Sequence, residues 1–100
     1  MKNYYSIYAI DNSGNEILEK RLIARPDHLK RLQQLKDEER LLLAGPLLIE
    51  AEEQSKPKGS LIIASFESLG TAQAWAHDDP YYKAGVYKTI AIEAFKPALP

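Results

Sequence analysis

His28 is the first residue whose type and place suggest chemistry. It stands in Arg25-Pro26-Asp27-His28-Leu29. Pro26 reads as the first helical position, because the N–H that proline lacks would be unpaired there. At about 100° per residue, positions 28, 32, 35 and 39 share a stripe. His28 then faces inward with Leu32 and Leu35, in the first turn of a helix running to about Arg40. There the positive end of the helix dipole favours the neutral, proton-accepting imidazole. A core histidine bonded to a backbone carbonyl fits the same pattern, and the spacing leaves both readings open.

Asp79 is the second candidate. An Asp directly before Pro80 is the pattern of a helix N-cap, with the carboxylate accepting from backbone N–H groups of the next turn. A capped carboxylate is also held rigid, as a group that orients a histidine must be. A His–Asp pair without a Ser or Cys nucleophile points to general acid–base work. Arg25, one turn before His28, is placed to meet an anionic oxygen or to stand as a solvated end of the helix. Tyr81 and Ser65 complete the candidate substrate-binding set, although a strand serine is more often a packing residue. Most of the tyrosines are expected in the core or at an interface, with some lining a pocket for a small, partly apolar ligand.

Other chemistries find little support. The chain has no cysteine, which excludes disulfides, thiolate metal sites and a Cys nucleophile. His28 and His77 lack the i, i+4 spacing of a helical metal site, and the glycines have no phosphate-loop or dinucleotide spacing. Neither a metal nor a cofactor is expected. Thirteen Lys and Arg against 14 Asp and Glu give a net charge of -1, so no basic surplus exists for nucleic acid or an anionic membrane surface. No apolar run approaches a membrane span and no signal peptide is readable, so a cytoplasmic protein is expected.

The elements that must position these residues follow from pattern and punctuation. One hundred residues suit one domain, residues 1–100. Tyr4 to Ile10 reads as a strand, closed by Asp11-Asn12-Ser13-Gly14-Asn15. Glu16 to Ala24 reads as irregular. Leu41 to Glu50 reads as a strand that Gly45-Pro46 confines to an edge or bends, and Ala51 to Gly59 as a polar loop. Ser60 to Phe66 is a strand. Ser68 is a natural N-cap for a helix from Leu69 to His77, and Asp78-Asp79-Pro80 stops it. Pro80 to Ala84 reads as one helical turn ending at Gly85, and Val86 to Phe95 as the last strand.

That order predicts an α+β, ferredoxin-like βαββαβ fold: a four-stranded antiparallel sheet with both helices on one face. Alternation places Tyr4, Ser6, Tyr8 and Ile10 opposite Tyr5, Ile7 and Ala9. It sets Val86, Ile90 and Ile92 against Tyr87, Ala91 and Phe95. Both faces are thus largely apolar. Two helices cover only one of them, and a bare apolar face of several hundred Å² is rare in a monomer. A homodimer through that second face is expected.

The chain resembles the YCII-related domain family. The resemblance rests on Tyr8-Ala9, Leu18 to Leu22, Arg25 to Leu29, Leu41 to Pro46 (LLLAGP), Phe66 to Leu69, Ala72 to Ala76, Asp79-Pro80-Tyr81 and Ala84 to Tyr87. It implies a dimeric α+β barrel and a site on the family's His and Asp, which fall on His28 and Asp79. The family includes a dehydrochlorinase acting on a chlorinated hydroxyhydroquinone. The leading expectation is a small-molecule enzyme with a His–Asp acid/base pair, performing an elimination or isomerisation on a cyclic or aromatic substrate. The alternative is a non-catalytic, dimeric metabolite-binding module.

Overall fold

A computed structural model describes residues 2–99; Met1 and Pro100, the ends of the expected domain, lie outside them. The elements run β1 (Tyr4–Asp11), α1 (Asn15–Asp37), β2 (Leu41–Leu48), β3 (Pro57–Ser65), α2 (Leu69–His77), α3 (Pro80–Lys83) and β4 (Tyr87–Phe95). The four strands form one antiparallel sheet in the order β2-β3-β1-β4, the ferredoxin-like topology that the element order predicts.

The two central strands set the register. Ile7 of β1 stands between Ile62 of β3 and Ile92 of β4. Ile7, Ile62 and Ala64 face the helices and pack with Leu32 and Leu35 of α1 and with Ala72 and Ala76 of α2. Both long helices therefore cover one face. β2 is an edge strand, and Pro46 pairs opposite Ser60, where a missing N–H breaks no ladder on the outer side. β3 begins at Pro57, earlier than the polar loop pattern suggests, because Pro57 and Gly59 continue the pairing with Leu48 and Leu47.

α1 corrects the sequence reading. It starts at Asn15, so Glu16 to Ala24 is helical and Pro26 lies inside the helix. Ile17, Arg21, His28, Leu32 and Leu35 form its buried stripe, at the i, i+4, i+7 spacing of one helical face. A proline inside a helix removes one backbone donor and orphans the carbonyl four residues earlier. Here that carbonyl belongs to Leu22, on a residue 71% exposed, so water can satisfy it. The helix ends at Asp37, short of Arg40. Glu39 turns left-handed at φ 58, and the Arg40 N–H returns to the Leu35 carbonyl at 2.9 Å.

β4 also departs from the alternation read from the sequence. The register shifts between Ile10 and Asp11, which pair with Thr89 and Tyr87. The extra residue, Lys88, flips the alternation. Tyr87 therefore joins Ala9, Ile17, Tyr81 and Val86 on the helix side, not Ala91 and Phe95. The far face of the sheet carries Tyr8, Leu43 and Phe95, which are 40–47% exposed. It also carries Ser6, Thr89 and Glu93, so it is apolar in patches and not throughout.

Candidate active site

Two helix segments bring the candidate pair together. His28 projects from the middle of α1, on the stripe that faces the sheet. Asp79 caps α3, with Pro80 at the first helical position, and its Oδ1 accepts from the Tyr81 N–H at 2.8 Å. The cap forms as the Asp-Pro pattern predicts. The same carboxylate meets His28 Nδ1, at 3.0 Å from each oxygen. His28 is 6% exposed and Asp79 1%, so the contact is shielded from competing water. Against an ionised carboxylate, which only accepts, Nδ1 is the donor, and in the neutral imidazole Nε2 then keeps its lone pair. The positive end of the helix dipole does not reach His28, contrary to the expectation from a helix starting at Pro26. The residue stands mid-helix, and dipole effects fade beyond the first turn.

Tyr81 fixes the imidazole from the side. The two rings stack at 4.0 Å between centroids and 18° between planes. The Arg21 guanidinium lies 4.5 Å from the same phenol ring centroid. Arg21 and His28 are two helical turns apart, about 10 Å along the axis, which leaves room for one ring between them. Burial pushes the Tyr81 phenol up from its usual range, and the charges of Arg21 and Arg25 partly offset the rise.

Arg21 is itself held by a buried network. Its Nε donates to Asp11 Oδ2 at 2.7 Å, and its Nη2 donates to the Gly59 carbonyl at 2.8 Å and the Ser60 hydroxyl at 2.9 Å. Gly59 is required where it stands, since a Cβ there would lie 2.2 Å from the Ala9 carbonyl oxygen. Beside this network the Tyr87 hydroxyl is buried with no hydrogen-bond partner among the described residues. Burial raises its phenol strongly; Ser60, already drawn to Arg21, counters that only weakly.

His28 lines a cavity of about 180 Å³ between α1 and the sheet, with Arg21, Arg25, Ser60, Ile62 and Tyr81 among its walls. Of the five candidate residues, His28, Tyr81 and Arg25 line this cavity, and Asp79 stands behind the His28 ring without lining it. Ser65 lies elsewhere. It pairs opposite Tyr4, with a parity opposite to that of Ser60 and Ile62, and lines a separate hollow with Arg40 and Thr71. Its backbone N–H donates to the Arg40 carbonyl, and its carbonyl accepts from Arg40 Nε. Ser60 is the serine at the site. His77 is on the surface, with Nδ1 2.7 Å from the Gln73 carbonyl. Among the described residues, no three His, Asp or Glu side chains converge as metal ligands would.

Sequence reasoning missed Arg21, Asp11 and Ser60. The signal for Arg21 was present, since positions 17, 21, 24 and 28 continue the helical stripe backwards through Pro26. Reading that proline as a helix start hid it. Asp11 and Ser60 carry no local signal, because only strand pairing brings them to Arg21.

A family model for the YCII-related domain matches residues 3–96. The chain belongs to the YCII-related domain family. It is 52% identical over 97 residues to protein YciI of Escherichia coli, covering 92% of this chain and 95% of that protein. It is 48% identical over 96 residues to a Haemophilus influenzae protein, covering 93% and 96%. Among solved structures it is similar to the 5-chloro-2-hydroxyhydroquinone dehydrochlorinase of Burkholderia phenoliruptrix AC1100, in complex with 2,5-dihydroxybenzoquinone. That similarity has a TM-score of 0.81 and 27% identity, and covers 93% of each chain.

Proposed function

We propose that this protein is an enzyme of small cyclic or aromatic molecules in which His28 and Asp79 form the acid/base pair. The observation that carries the reading is the shielded 3.0 Å contact between His28 Nδ1 and the Asp79 carboxylate at the wall of a cavity. With Nδ1 committed to Asp79, Nε2 is the nitrogen free to take a proton from a phenol or an enolisable carbon. Asp79 orients the ring and stabilises the imidazolium that forms. In an elimination, the electrons of the broken O–H or C–H bond move into the ring system as the leaving group departs with its own pair. The imidazolium then gives its proton to solvent, so that proton and leaving group are lost together. Arg25 and Tyr81 bind the substrate, and Arg21 supports Tyr81 from below.

The structural likeness to a dehydrochlorinase of a hydroxylated ring supports that substrate class. The test is a pH–rate profile on a panel of halogenated quinols and lactones. Turnover is expected in the native protein and lost in His28→Ala; equal turnover in both sinks the reading. A non-catalytic binding module is separated by His28→Gln. That variant is expected to retain some ligand affinity and no turnover if the pair moves protons. If the native protein binds the panel without turning any member over, the binding reading holds instead.

The proposed working form is a cytoplasmic homodimer joined through the exposed sheet face. Tyr8, Leu43 and Phe95, each 40–47% exposed, would be covered there. Among the described residues no helix is long and apolar enough to cross a membrane. Sedimentation showing a stable monomer at micromolar concentration would defeat the dimer.

A further inference from the structure

The cavity at His28 does not end at the dyad. A second hollow, of about 390 Å³, lies against it between α1 and the β2–β3 connection. The two share Arg21, Arg25, Pro46 and Tyr81 as walls, so they are neighbouring parts of one cleft. Their chemistry differs. The inner part presents His28, Ser60 and the Arg21 guanidinium. The outer part is walled by Leu18 and Leu22, one turn apart on α1, and by Leu48 and Pro57 across from them, with Glu53 and Ser55 at the rim. Arg25 stands where the two parts meet. It is exposed, and its charge acts on the Tyr81 hydroxyl.

Volume decides what each part can hold. A cavity of roughly 150 Å³ accommodates one benzene ring, so the inner part takes a single ring and nothing larger. The outer part has room for a further ring or a short branched chain. Apolar walls gain nothing from a polar occupant and favour an apolar one by the area removed from water.

We infer that the substrate is a two-part molecule: one hydroxylated ring beside His28, joined to an apolar arm that fills the Leu18–Leu22–Leu48 antechamber. Its anionic oxygen lies at Arg25, where the two parts join. The inference rests on the dyad reading above for the placement of the ring. It adds that affinity and selectivity come from the arm.

Calorimetric titration of the full chain tests it with two probes, 2,5-dihydroxybenzoquinone and its 3-phenyl derivative. The phenyl compound is expected to bind at least about tenfold tighter, as burying several CH₂-sized groups allows. In Leu22→Asp, which places a charge in the apolar wall, that ratio is expected to collapse to about one. Ile23→Asp, at an equally exposed neighbour that lines neither cavity, is expected to keep it. Melting curves confirm that each variant is folded. Equal affinities in the native protein, or a ratio indifferent to Leu22→Asp, overturn the antechamber while leaving the dyad reading intact. Failure of both probes to bind at millimolar concentration overturns both. Phenyl binding that depends on Leu22 but not on His28 upholds the antechamber and removes the dyad reading.

Discussion

Asp79→Asn and Asp79→Ala should part company, and the structure says by how much. The Asp79 carboxylate satisfies two buried donors, the His28 Nδ1–H and the Tyr81 N–H. Alanine orphans both and removes the cap of α3. Each buried unsatisfied donor costs about 1–3 kcal/mol and a lost cap about 1; the Tyr81 donor and the cap are the same bond, so the total is about 3 kcal/mol. A domain of this size loses about 4–8 °C of Tm per kcal/mol, which gives a fall of about 15 °C. Asparagine keeps an oxygen for the Tyr81 N–H but turns an NH₂ group toward the imidazole. His28 then accepts at Nδ1 and carries its proton on Nε2. The fold should lose about 1 kcal/mol or less, while the nitrogen needed as a base is blocked and turnover falls about 10²- to 10⁴-fold. Long-range ¹⁵N–¹H correlation spectra of the neutral ring read the tautomer directly, with no substrate. The expected result is Nδ1–H in the native protein and Nε2–H in Asp79→Asn, with only the alanine variant melting far lower. A native ring protonated at Nε2, or equal melting losses in the two variants, refutes the reasoning.

Other perturbations test the frame around the pair. Arg21→Met strands the Asp11 carboxylate, whose side chain is only 5% exposed, and should cost about 3–5 kcal/mol in urea unfolding. Adding Asp11→Asn to it should recover part of the loss, because no charge is then left buried alone. Tyr87→Phe removes a buried hydroxyl that has no partner among the described residues, so stability near pH 7 should hold or rise by up to about 1 kcal/mol. It should also blunt alkaline unfolding. Burial raises the Tyr87 phenol, so the phenol stays protonated in the folded chain while the unfolded chain ionises near pH 10. Native stability is therefore full below that pH and is lost as the pH rises above it. Gly59→Ala would set a Cβ 2.2 Å from the Ala9 carbonyl oxygen. It should lower Tm by more than 10 °C, the cost of prying β1 from β3 beside Arg21.

Much of this protein was legible along the chain. The strands β1, β3 and β4 are runs rich in apolar, β-branched and aromatic residues, with turn or loop residues beside them. The caps at Ser68 and Asp79 are local chemistry, and both form as local chemistry requires. The ferredoxin-like order follows from those elements, because short connections leave few other ways to pair them. His28 and Asp79 were legible as candidates because one falls on an apolar helical stripe and the other caps a helix that opens with proline. Other features depended on tertiary context. Pro26 reads as a helix start wherever nothing holds the preceding turn. The buried stripe of Ile17 and Arg21 holds it here, so the helix runs through the proline and His28 lies beyond the reach of the helix dipole. One extra residue in β4 moved Tyr87 to the other face, and strand parity placed Ser60, not Ser65, at the cavity. Sequence determined which residues could do chemistry and which elements carry them. Only the packed structure determined that His28 and Asp79 meet, that Arg21 stands on the other side of Tyr81, and that the cleft continues toward Leu22. Those contacts join residues far apart in the chain, where no local pattern can record them.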